Sequence, residues 1–320
     1  MSAGDFMRRP LIYLIVLVTL IPTLGTLAQT PDPKQRVRTV IIPISIFTKK
    51  ELKEKQAEEY VQADRLTVKE DKDDQQILSI RSVSDSPLSI ALVVQDDLAS
   101  DFNLQIKDIQ DFIRHLPTGT RVMVGYSRSG SIQVRQRFTD DLEKAAKSLR
   151  IVGGSPESGP RSPYDGVVDV LGRFDGVPTG RRAILLFSDG LDTSGGLSLA
   201  SITQSFDLDQ ATLKAQRKGV AVYSFYSPTT ITENGNSTYI LAAQGALAKL
   251  SEETGGRTFY HGSFAPISFL PFFKELVLAL NRQFSLTYLS THMEKGYHKV
   301  LVQSTNPEVK IEHPKGYYYR

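Results

Sequence analysis

At two places in this 320-residue chain carboxylates stand directly behind a long apolar run. LSIALVVQDDLAS (residues 88–100) sets Gln95, Asp96 and Asp97 after a segment with one polar residue, Ser89, among its first seven. RRAILLFSDG (residues 181–190), followed by LDT, does the same for Asp189 and Asp192. Carboxylates with neighbouring hydroxyls are what hard cations such as Mg²⁺ and Ca²⁺ require, since these ions surround themselves with oxygens. The same residues have ordinary roles as well. Asp97 or Asp101 can cap a helix starting near residue 101, and Asp165 and Asp192 can be turn or first-turn residues. We read Asp192 as a turn residue. Asp189 we read as a site residue, because its SDG lies at the carboxyl end of a sheet strand.

Other chemistries find less support. GYSRSG (residues 125–130) has part of the G-x-S-x-G pattern of a secreted hydrolase, with Ser129 where the last glycine belongs. That elbow needs a strand-to-helix turn, whereas SIQVRQRF behind it reads as the return arm of a hairpin. The five histidines, His115, His261, His292, His298 and His313, form no zinc-type spacing. His292 and His298 flank an expected β turn and read as surface residues. The expectation is a non-enzyme, with no cofactor beyond a weakly held Mg²⁺ or other divalent cation.

The elements that would hold these residues follow from periodicity. Strands are expected at 37–47, 65–71 and 75–83, the first at a sheet edge because of Pro43. The residues KDD (72–74) should turn the chain between the second and third. From residue 88 apolar strands alternate with helices: a helix over 101–116 with Phe102, Ile106, Ile109 and Ile113 at helical spacing, then one behind Thr139 as N-cap. YDGVVDVLGRF, DLDQATLKAQRKG (stopped by Gly219), STYILAAQGALAKLSEETGG and residues 267–281 continue the series. Strands apolar throughout are covered on both faces, so the expected fold is a doubly wound, mainly parallel α/β sheet over 86–282. Such sheets bind ligands beyond the carboxyl ends of their strands. QFSLTYLS, YHKVLVQS and VKIEHP return to β. Residues 37–83 and 283–320 are therefore expected to join in one small discontinuous β module.

The first thirty residues have the layout of an export signal: Arg8 and Arg9, an apolar run, then small residues up to Ala28. The apolar run is short and meets Pro22, so cleavage after residue 28 is expected, with no membrane span thereafter. The protein would be periplasmic or extracellular. The chain has no cysteine, which excludes disulfides. Its net charge is +3, and losing two arginines and one aspartate with the signal leaves it near neutral, which argues against nucleic acid as a partner. NST at Asn236 fits a glycosylation pattern without further support.

PLSIALVV with its acidic turn, SPYDGVVDVL and RRAILLFSDGLDT together resemble the von Willebrand factor type A (VWA) domain. LTVKEDKDDQQI, QFSLTYLS and the terminal HPKGYYYR are similar to segments of the secreted VWA-domain proteins abundant in acidobacteria. The resemblance implies a protein-binding or adhesion module whose metal-ion-dependent site reads Asp-x-Ser-x-Ser, then a threonine, then an aspartate. Here those positions carry Gln95, Asp97 and Ala99, Arg161, and Asp189. Ala99 has no ligand atom, and Arg161 brings a permanent charge to where a cation would sit. A distorted site of Asp97, Ser100, Ser162 and Asp189 would be the metal-binding alternative. We expect Arg161 to pair with Asp97 or Asp189 in place of an ion. The rim formed by Gln95, Asp96, Asp97, Ser100, Arg161, Ser162 and Asp189 is the expected surface for a protein partner, with Arg161 available to an acidic group. The alternative is a structural envelope protein that binds through its β module, with an inert rim.

Overall fold

The computed structural model describes residues 36–48, 66–83, 86–154, 161–178, 180–196, 205–233, 237–262 and 264–319. The expected export signal, Asn236 and the charged stretch KKELKEKQAEEY (49–60), which reads as a solvated surface segment, lie outside the described residues.

Three strands open the described chain: β1 (Arg38–Thr48), β2 (Leu66–Glu70) and β3 (Asp73–Ser82). Asp71 and Lys72 join β2 to β3 with φ of 49° and 85°. Two left-handed residues in a two-residue loop match the twist of the strands they connect. The turn therefore lies at 71–72, one step earlier than the KDD reading.

Next come β4 (Leu88–Gln95), a 3₁₀ segment (Ser100–Gln105), α1 (Ile106–Arg114), β5 (Arg121–Arg128) and β6 (Ser131–Thr139). The helix expected from residue 101 thus begins as 3₁₀, and no side chain caps either piece. Asp97 is drawn into other bonds described below. α2 (Leu142–Lys147) is capped by Asp141, whose side chain accepts from Lys144 N. Thr139, the expected cap, instead ends β6 and accepts from Asp141 N.

The chain continues through α3 (Pro163–Arg173), β7 (Arg181–Ser188), α4 (Phe206–Lys218), β8 (Ala221–Tyr226), the single turn α5 (Thr230–Glu233), α6 (Ser237–Thr254), β9 (Thr258–Phe259) and α7 (Leu270–Asn281). Gly219 closes α4 in the left-handed conformation at φ 61°, as its position predicts. α7 starts three residues later than expected.

β4 to β9 form one six-stranded sheet in the order β6-β5-β4-β7-β8-β9. Every pairing in it is parallel except β5 with β6, which is the GYSRSG hairpin. All eight residues of β4 are buried. Ile90, Leu92 and Val94 pack with Phe102, Ile109 and Phe273 on one face, and Ala91 and Val93 with Val167, Leu171 and Leu247 on the other. That two-sided burial is why the strand does not alternate in sequence.

The last strands are β10 (Gln283–Ser290), β11 (Gly296–Ser304), β12 (Val309–Glu312) and β13 (Gly316–Tyr319). They combine with β1 to β3 in a seven-stranded sheet ordered β12-β1-β10-β3-β2-β11-β13. β1 is therefore interior, contrary to the reading of Pro43. β12 reaches only Ser45–Thr48, so at Pro43 the strand has a neighbour on one side only, and the missing N–H is tolerated there. Among the described residues no helix is long and apolar enough to cross a membrane.

Candidate functional site

β4 and β7 are adjacent and parallel, with Val94 opposite Phe187. Their next residues consequently emerge side by side at the carboxyl edge. Gln95 uses both ends of its amide there. Its Oε1 accepts from Ser188 Oγ at 2.5 Å and Asp189 N at 3.2 Å, and its Nε2 donates to Asp97 Oδ1 at 2.9 Å.

Arg161 arrives from the start of α3. Ser162 caps that helix by accepting from Tyr164 N, and Pro163 suits its first turn. The Arg161 backbone is clamped to Thr193, donating to its Oγ1 at 3.1 Å and accepting from its N–H at 2.8 Å. Its side chain then runs between two carboxylates. Nη1 lies 2.8 Å from Asp97 Oδ2, and Nη2 lies 3.0 Å from Asp189 Oδ2. The side chains of Arg161, Asp97 and Asp189 are 5%, 4% and 0% exposed. Charges so far from water need several partners each. Asp189 obtains them from Thr229 Oγ1 at 2.8 Å and Leu191 N at 3.0 Å.

A gap of about 10 Å³ is left beside Gln95, Asp97, Ser127, Arg161 and Ser162, room for roughly one water. The guanidinium fills the centre of the cluster.

The structure brings Gln95, Asp97, Arg161 and Asp189 into one network and sends the other expected site residues elsewhere. Asp96 pairs with Arg150 at 2.7 Å and lies 3.7 Å from Arg128. Arg150 stacks on the Tyr126 ring, 4.1 Å from its centroid. Ser100 is exposed at the start of the 3₁₀ segment. Ser162 donates to Asp192 Oδ2 at 3.3 Å. Asp192 does form the expected turn, accepting from Ser194 N at 2.9 Å, yet it is buried and also binds the hydroxyls of Ser194 and Ser205. It ties the site loop to the cap of α4.

Thr229, Thr193 and Ser188 take part without having been anticipated. Their one advance signal is position: Ser188 ends β7, and Thr229 follows β8 at the same sheet edge. Leu98 bridges to Thr229, and Ala99 N donates to Pro228 O, so the β4 and β8 loops are joined.

Burial beside Asp192 and Asp189 pushes the Tyr164 phenol well above its usual range, and its hydroxyl donates to Gly190 O at 2.8 Å. Burial, with Asp207 and Asp192 nearby, raises the Asp165 carboxyl. Gly190 has φ 73°, and a Cβ there would stand 2.6 Å from Ala243 O and Leu247 Cγ in α6. The glycine of SDG lets that helix close over the site.

This is a mixed α/β protein with a buried, ion-paired cluster at the carboxyl edge of a largely parallel sheet. Neither a protein-family model nor a curated protein matches the chain. Solved structures similar to it include an aerotolerance-related membrane protein from Bacteroides fragilis, at 14% identity over 61% of this chain and 98% of that one, with a TM-score of 0.43. BatB from Bacteroides thetaiotaomicron is similar at 15% identity, covering 61% and 96%, with a TM-score of 0.42. A von Willebrand factor type A structure from Catenulispora acidiphila is similar at 9% identity, covering 82% and 76%, with a TM-score of 0.43. VWA-type domains are thus among the structures this chain is similar to.

Proposed function

We propose that the chain is an exported, non-enzymatic protein-interaction module: a doubly wound VWA-type domain with a discontinuous β module and a degenerate adhesion site. The observation that carries this reading is the Arg161 fork between Asp97 and Asp189. It puts a fixed cation where the related site would hold a divalent ion. The ion pair holds the β4, α3 and β7 loops at one edge and leaves their outer faces for contact.

Arg161 is too deeply buried to meet an acidic partner group directly. The contact role passes to the surrounding rim, where Leu104, Ile151 and Ile267 are 77%, 69% and 99% exposed. They lie on segments tied together by bonds of Asn103 with Val152 and of Gln105 with the carbonyls of Pro266 and Ile267. Exposed aliphatic side chains on a braced rim favour a protein partner.

The test is calorimetry and thermal melting of the chelator-treated chain with Mg²⁺ and Ca²⁺. The expected result is neither heat nor a shifted midpoint. A saturable shift that disappears in Asp189→Asn would instead establish a working cation site.

A further inference from the structure

The seven-stranded sheet contains a second polar cluster, remote in sequence from the rim. Glu70 ends β2, Asp71 begins the turn behind it, and His298 lies on β11. Glu70 and His298 are buried, which corrects the reading of His298 as a surface residue. His292, from the loop before β11, joins them, its ring centroid 5.9 Å from that of His298.

The two nitrogens of His298 face only acceptors. Nε2 is 2.7 Å from Glu294 O, while Nδ1 is 2.7 Å from Asp71 Oδ2 and 3.3 Å from Glu70 Oε1. With its N–H directed at the carbonyl, a neutral imidazole turns the Nδ1 lone pair toward two carboxylates. That contact is repulsive unless a proton or a metal ion lies between them. A backbone carbonyl that sets the tautomer of one ring nitrogen while the other faces carboxylates is the usual surrounding of a metal-binding histidine.

Two further atoms are left over. The Glu70 carboxylate is fully buried, and its Oε1 takes bonds from Ser290 at 2.9 Å, Tyr317 at 2.6 Å and Arg38 at 3.3 Å. Its Oε2 has no hydrogen-bond partner among the described residues, and neither has His292 Nδ1, which is 3.9 Å from Glu70 Oε1. The Tyr288 hydroxyl lies beside Glu70 without making a bond of good geometry. Asp73 lies 3.2 Å from His292 Nε2, so three carboxylates stand around the two imidazoles, and Arg38 reaches one of them, Glu70, at 3.3 Å.

We propose that Glu70, Asp71, His292 and His298 bind a divalent transition-metal ion of the zinc class. Ligand atoms around tetrahedral zinc, at about 2.0–2.2 Å from the ion, are roughly 3.4 Å apart. The separations from His298 Nδ1 to Asp71 and Glu70, 2.7 and 3.3 Å, and from Glu70 to His292 Nδ1, 3.9 Å, bracket that value; the ligand atoms of Glu70, Asp71 and His298 already lie within 4.8 Å of one another, and His292 must turn inward to join them. Two imidazoles select zinc, cobalt or nickel over Mg²⁺ and Ca²⁺. In a chain without cysteine, the ion would staple β2, the β2–β3 turn, β11 and the loop before it.

The experiment is a titration of the untagged, chelator-treated full chain with Zn²⁺, followed by calorimetry and melting, and with Co²⁺, followed by its visible absorption. One saturating equivalent and a raised midpoint are expected. His298→Gln and His292→Ala should each weaken binding at least tenfold, and replacement of the exposed His115 on its own, His115→Gln, should leave it unchanged. His292 is partly exposed, so His292→Ala keeps the test valid should His298→Gln fail to fold. Absence of saturable binding, or unchanged affinity in His292→Ala, overturns the site.

Discussion

Arg161 and Asp189, 28 residues apart in sequence, meet at 3.0 Å with the carboxylate wholly out of solvent and the guanidinium nearly so. Asp97 completes the arrangement on the other Nη. A buried ion cluster of this kind is worth little against an apolar replacement of the same shape, but losing one member leaves a bare charge inside.

Arg161→Ala should accordingly destabilise the fold by about 3–5 kcal/mol, because two buried carboxylates lose their shared partner. Arg161→Lys keeps the charge but offers a point donor in place of a fork, and should cost less. Denaturant midpoints at pH 7 measure both. Equal stability of Arg161→Ala and wild type would contradict the buried pairing.

Removing Arg161 should also create an ion requirement. Asp97, Asp189 and Thr229 would then offer oxygens around the vacated space, a set suited to Mg²⁺ or Ca²⁺. We expect Ca²⁺ to raise the melting midpoint of Arg161→Ala while leaving wild type unaffected. An ion at 100-fold excess over its Kd would return about 2.7 kcal/mol.

Thr229→Val removes the hydroxyl that donates to Asp189 at 2.8 Å and leaves the side-chain volume nearly unchanged. The loss should be about 1–3 kcal/mol, the range for leaving a buried charged acceptor short of a donor. A double-mutant cycle with Arg161 would show strong coupling, since both groups bind Asp189 Oδ2.

His313 provides the pH test. Its Nε2 accepts from Val302 N–H at 3.2 Å and its Nδ1 donates to Pro314 O, so the ring is held neutral. Burial, reinforced by Lys315, lowers its pKa to about 4. The unfolded chain binds this proton near pH 6.5 and the folded chain does not. The contribution is therefore complete above pH 6.5 and fades as pH falls toward 4, by about 3 kcal/mol in all. His313→Gln, which can still accept from Val302, should flatten the urea-stability profile over that window. Parallel profiles for variant and wild type would refute the assignment.

Gly190→Ala should destabilise the fold by about 1–3 kcal/mol, since a Cβ there meets the backbone and side chains of α6 in a left-handed conformation. Melting of the purified variant reads this directly.

Much of the sheet architecture was legible in order. Leu88–Gln95 and Arg181–Ser188 read as apolar strands because both faces are covered, and Gly219 read as a helix stop because few other residues adopt its φ. The meeting of Gln95, Asp97 and Asp189 followed from strands ending at one edge. Local pattern failed where the deciding contact is distant. Thr139 reads as a cap until β6 is seen to run through it, which passes the role to Asp141, and Pro43 marks an edge only until β12 is seen to stop short of it.

The sequence alone determined which chemistry was available: carboxylates and an arginine behind apolar strands, no cysteine, and few histidines. Tertiary structure decided what each group does. His313 and His298 lie on or beside the same sheet, yet one faces a backbone N–H and the other faces carboxylates. Asp96 and Asp97 are neighbours, yet one turns to Arg150 and the other to Arg161. Charge and hydrogen-bond energies depend on distance and burial, and folding sets those between residues that the chain order keeps far apart.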